Sequence, residues 1–89
     1  MREFSIENSL KKKLKKLFRK DKGLYNAVMD KIEEILNVKR VNHYKNLRNP
    51  LQKFKRVHIK GAFVLIFIYI KKNDKIIFYD FYHHDKIYK

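Results

Sequence analysis

The chain contains no cysteine. Disulfides and thiolate chemistry are therefore excluded, and zinc would have only histidine and carboxylate ligands. Glycine occurs twice, at Gly23 and Gly61, and proline once, at Pro50. So few glycines build no phosphate-cradling loop, and no serine nucleophile motif is present. Long apolar runs are missing too. The longest spans residues 62–70, far short of the roughly 20 residues a membrane helix needs. The first eight residues carry no apolar run of the kind a signal peptide requires. These absences lead to the expectation of a cytoplasmic protein with no membrane association, no cofactor and no small-molecule ligand.

Acidic residues are also scarce. Nine Asp and Glu face 23 Lys and Arg, for a formal charge of +14 over 89 residues. This excess strains a small fold by self-repulsion and favours anionic partners. Nucleic acid is the first candidate, because each neutralised phosphate releases a counterion. An acidic protein would relieve the same repulsion, and an anionic membrane comes third. A chain this short is a single domain, residues 1–89, burying only about 60–65% of its unfolded surface. Chemistry is then expected on an open face or shallow groove.

The apolar pattern predicts an α+β fold: a strand, an antiparallel helical hairpin, then a three-stranded antiparallel meander. Residues 2–6 alternate Phe4 and Ile6 with polar residues, as an edge strand does. Residues 9–20 place Leu10, Leu14, Leu17 and Phe18 on one helical stripe among lysines. Residues 21–23 break the pattern, with Gly23 suited to ending or linking helices. Residues 24–37 place Leu24, Val28, Ile32, Ile35 and Leu36 on the inner face of a second helix. A loop-like stretch follows over 38–52. Residues 53–60 alternate, with Val57 and Ile59 on one face and Phe54, Arg56, His58 and Lys60 on the other. After a turn at Gly61, the continuously apolar stretch 62–70 reads as the central strand. Asn73-Asp74 marks a hairpin, and residues 76–82 form the last strand, with Phe78, Asp80 and Tyr82 sharing one parity.

Two clusters carry the chemistry. One is Lys53-Phe54-Lys55-Arg56-Val57-His58-Ile59-Lys60; the other is Phe81-Tyr82-His83-His84-Asp85-Lys86-Ile87-Tyr88. Arg56 and His58 project from one side of their strand. His84 continues the parity of Tyr82, so the two sets fall on one sheet face, roughly 10 Å apart. Imidazoles near their ordinary pKa of about 6.5 serve as base or acid. Arg56, Lys55 and Lys53 offer charge to a phosphoryl transition state. The fitting reaction is metal-free RNA cleavage by a 2′-hydroxyl. Adjacent histidines in a strand point to opposite faces, so His83 and His84 chelate one ion poorly, and no metal site is expected. His43 reads as plain surface.

With these residues in place, the chain resembles the RelE/ParE toxin superfamily over nearly its whole length. The resemblance is carried by Leu47-Arg48-Asn49-Pro50 through Phe63-Val64-Leu65-Ile66-Phe67, and by the terminal His83-His84-Asp85-Lys86-Ile87-Tyr88. It implies a type II toxin that enters the ribosomal A site, cuts mRNA without metal, and is blocked by a small acidic RelB-like antitoxin. By position it implies His58 as general base, Arg56 as phosphate ligand, His84 as general acid and Tyr88 as a base-stacking residue. Arg48, Lys53, Lys55, Lys60 and His83 are the accompanying RNA-binding set. Many relatives carry an arginine early in the central strand where this chain has Val64, so Lys53, Lys55 or Lys60 would have to compensate. Two other functions stay open. One is a ParE-like poison of DNA gyrase; the other is a basic ribosome- or RNA-binding protein.

Overall fold

The structure is a computed structural model and describes residues 1–87. Strand β1 (Glu3–Ile6) leads into helices α1 (Asn8–Lys20) and α2 (Lys22–Asn37). Strands β2 (Lys55–Ile59), β3 (Phe63–Ile70) and β4 (Lys75–His83) follow, and a single-turn helix α3 (His84–Ile87) closes the described chain. The strand order is β1-β4-β3-β2, with β1 parallel to β4 and the other pairs antiparallel. The predicted α+β architecture is thus the one found, with β1 as an edge strand.

The helical hairpin covers one face of the sheet. Leu10 and Leu14 of α1 and Leu24, Val28, Ile32, Ile35 and Leu36 of α2 are buried against Ile59, Leu65, Phe67, Ile76, Phe78 and Phe81. Phe18, placed on the inner stripe by periodicity, is instead half exposed, its ring set edge-on against Tyr25 across the hairpin. The break between the helices is made by Asp21 rather than Gly23. Its carboxylate accepts from the Leu24 amide at 3.0 Å, capping α2, and Gly23 lies inside the first helical turn. The far end of α2 carries no basic residue in its last turn. Arg2 supplies that charge from outside, donating to the carbonyls of Leu36, Val38 and Lys39 while bonding Asp74.

Two expectations about the sheet are corrected. β2 starts at Lys55, not residue 53, and Lys60 falls in the turn with a φ of 52°, beside Gly61 at 73°. The second correction is larger. Phe67 of β3 pairs with Phe78, but Ile66 pairs with Asp80, so Tyr79 is an extra residue in β4. Such a bulge inverts the alternation downstream. Phe78 therefore enters the helix-side core, while Asp80 and Tyr82 lie on the opposite, open face.

Candidate active site on the open sheet face

On that face the register lines up two rows. His58 pairs with Val64, which pairs with Tyr82; Arg56 pairs with Ile66, which pairs with Asp80. A small apolar cluster of Leu47, Phe54, Val64 and Ile66 fills the middle. It is held by the loop before β2, where the Leu47 amide donates to the Phe54 carbonyl and the Arg56 amide to the Lys45 carbonyl. Polar groups are left along the rim.

The two predicted catalytic imidazoles meet there. The rings of His58 and His84 have centroids 5.3 Å apart and are inclined by 34°. This is closer than strand spacing alone implies, because His84 leaves the sheet and its amide bonds the Ala62 carbonyl at 2.7 Å, drawing α3 over the β2–β3 turn. Partial desolvation by its neighbours, then the Arg56 charge, then His84 hold the exposed His58 below its ordinary value. At neutral pH His58 is thus an uncharged imidazole, the form a base needs.

A network absent from the sequence reading borders this site. The Lys13 ammonium reaches around the β4 edge from α1. It pairs with Asp80 at 2.8 Å, donates to the Phe81 carbonyl at 2.8 Å and lies 4.0 Å from the Tyr82 ring centroid. Burial pushes the Asp80 carboxyl up, but hydrogen bonds from Lys13, Tyr82 and the Phe81 amide outweigh it and hold the group below its ordinary value. The bond to Asp80, followed by burial, pushes the Tyr82 phenol up to about 12.

The remaining predicted residues separate. Arg48 and Lys53 are exposed in the loop, Lys53 lying over the Phe54 ring at 5.2 Å. Lys55 shares the parity of Val57 and Ile59 and is buried; its ammonium bonds the Tyr44 carbonyl and Asn46, and burial lowers its pKa. Lys60 reaches back to the start of α2 beside Gly23. His83 points away from His84, as alternation requires, and packs edge-on against Phe63 on the helix side. Tyr88 lies outside the described residues. His43 bonds the Arg40 carbonyl and stacks on Tyr44, away from the site. Among the described residues no three His, Asp or Glu side chains converge on a metal position.

Comparison with known proteins agrees with this architecture. No protein-family model matches the chain. A protein of Methanocaldococcus jannaschii named "Putative toxin RelE4" is 51% identical over 89 residues, spanning all of this chain and 93% of that protein. A mutant of YafQ from E. coli superposes with a TM-score of 0.75 at 13% identity, covering 100% of both chains. A chain of the intact E. coli RelBE toxin–antitoxin complex superposes with a TM-score of 0.68 at 12% identity, over 91% of this chain and 94% of that one. The two structures share the fold, while the archaeal relative shares half of its residues end to end. On that relationship, the chain belongs to the RelE toxin family.

Proposed function

We propose that this RelE-family protein is the toxin of a type II toxin–antitoxin pair, a ribosome-dependent, metal-independent endoribonuclease that cuts mRNA in the ribosomal A site. The observation carrying this reading is the meeting of His58 and His84, 5.3 Å apart beside Arg56, on an open face of a +14 protein. His58, held below its ordinary value, is the base, and His84 stands beside it in the position of the acid. His58 takes the proton of the 2′-hydroxyl, and the oxygen attacks the adjacent phosphorus. The bond from phosphorus to the 5′-oxygen breaks, and His84 protonates that oxygen. The products are a 2′,3′-cyclic phosphate and a 5′-hydroxyl. Arg56 holds the non-bridging oxygens as charge builds on them. Arg48 and Lys53 contact flanking phosphates, and Tyr88 stacks on a base.

Lys55 has no part in this scheme, because its ammonium is committed to protein acceptors beneath the sheet. Lys60 and His83 likewise serve regions outside the cleavage face. The partner is an acidic antitoxin segment. A groove of about 340 Å³ between α1 and the sheet end has Leu17, Phe63 and Phe81 as floor and Lys13, Lys16 and Lys20 along its rim. That suits an acidic amphipathic helix. The site of action is the cytoplasm, where translating ribosomes are.

The test is to map cuts on translating ribosomes, in EDTA, for the parent and His84→Ala. The parent should cut within the A-site codon, and the variant should cut 10²- to 10⁴-fold more slowly, the range for losing a general acid. Equal cutting by both overturns the assignment. Intact messages with a DNA-damage response would establish the gyrase-poison alternative instead.

A further inference from the structure

The bulge in β4 turns one large ring outward. Tyr79 is the inserted residue, and at 38% exposed it lies outside the buried core. The ring lies on the open face, 4.8 Å from that of Phe54, and the Lys53 ammonium lies 5.2 Å from the Phe54 ring centroid. Phe54 precedes Arg56 and His58 on the same parity. The Phe54–Tyr79 pair therefore continues the line of the two catalytic-face residues, about 13 Å beyond His58 at the rise of an extended strand. A bulge re-aims a side chain where a site needs it, and here it turns an aromatic ring out beside a row of cations.

We propose that Tyr79, backed by Phe54, is a stacking platform for a base of the single-stranded RNA neighbouring the scissile linkage, with Lys53 and Arg48 on its phosphates. This rests on the RNA reading above and adds a subsite to it. Sheet-borne aromatics flanked by cations hold single strands in this way, because every base offers a π-face. Charge favours RNA over a peptide on this face. Arg56 and Lys53 lie on it, Arg48 is exposed in the adjoining loop, and the Asp80 carboxylate is neutralised by Lys13. Tyr79 supplies flat area at little cost in side-chain entropy and is fixed from below by Phe54.

The experiment is an NMR titration of the protein with a short single-stranded RNA, 2′-O-methylated so that it cannot be cut, beside a matched abasic oligomer with the same phosphates. Base-bearing RNA should move the Tyr79 and Phe54 ring signals upfield, and the abasic oligomer should not. Tyr79→Ala should weaken binding about tenfold, within the range for losing one stacked base, and Tyr79→Phe should restore it. Equal shifts from the abasic oligomer, or undiminished binding by Tyr79→Ala, overturn the platform. So would ring shifts from an acidic peptide with none from RNA, which would mark a protein contact. The imidazole signals of His58 and His84 report separately. If Tyr79 responds to RNA and they do not, the platform stands and the nuclease assignment falls.

Discussion

Lys13→Met removes the charge that α1 brings to the sheet and keeps most of the side-chain stem. The Asp80 side chain is 9% exposed and that of Lys13 is 41% exposed. Stripping one partner from a fully buried pair costs about 3–5 kcal/mol. Here Lys13 is partly in water, and Asp80 keeps its bonds from the Phe81 amide and Tyr82, so a loss of about 2 kcal/mol is expected. For a domain of this size that lowers Tm by about 10 °C. Asp80→Asn retains an acceptor for the Phe81 amide and releases Lys13 to solvent, for about 1 kcal/mol. The double variant should be no less stable than Lys13→Met, giving a coupling of about 1 kcal/mol. The pH dependence has a definite sign. Asp80 is held below 3.8 in the fold, so around that pH the unfolded chain binds more protons than the native one. Its contribution is complete above the unfolded value and is lost as pH falls through the folded one. The gap between parent and Lys13→Met should shrink over that same fall. Urea unfolding followed by circular dichroism at several pH values measures all of this. A Lys13→Met loss within about 0.5 kcal/mol of zero, the scatter of surface substitutions, or a purely additive cycle, would refute the reasoning.

Other outcomes follow from the same geometry. Because His58 is held below 6.5 by partial desolvation, Arg56 and His84, the acid limb of kcat/KM should lie below 6.5, with activity lost as pH falls and the base takes up a proton. Arg56→Gln should move that limb upward and lower the rate about 10²-fold; a limb that stays in place counts against the assignment. Val64→Arg, which restores the residue many relatives carry, should bring no gain in cutting and cost about 3 kcal/mol in urea unfolding, because Val64 is fully buried in this chain. A stable and faster Val64→Arg protein would contradict this account of the open face.

Both helices, their inner faces and the meander were legible because long amphipathic repeats survive any tertiary context. The pairing of His58 with His84 on one face was legible as parity, but their closeness was not. It depends on a bond from the His84 amide to the Ala62 carbonyl in the β2–β3 turn. The bulge at Tyr79 was invisible, since no glycine or proline marks it and one inserted residue reverses every later side chain. It moved Phe78 into the core against expectation. Lys55 carried a usable signal: its parity matched Val57 and Ile59, the core face, and only its identity as lysine argued for solvent. Lys60 was misplaced because the turn begins one residue before Gly61. Lys13 gave no signal among the other lysines of α1, as its partners lie 67 and 68 residues further on.

The shape of the open face bears on why a ribosome would be required under the reading proposed here. One sheet face is sealed by helices, and the other is a shallow surface whose centre is apolar and whose polar groups stand at the rim. His58 is exposed and His84 partly so. Such a surface holds RNA by charge but does not exclude water or force the 2′-oxygen, phosphorus and 5′-oxygen into line, and alignment is where much of the barrier for an intramolecular attack is overcome. The protein supplies one neutral imidazole, a second beside it and a guanidinium. The missing elements are a rigid hold on the message and a dry enclosure, which an 89-residue chain with its core already committed to the helical side has little material to build. Under the proposed reading, a large partner pressing the message onto this face would supply both, and a requirement for the ribosome would follow from where the core lies.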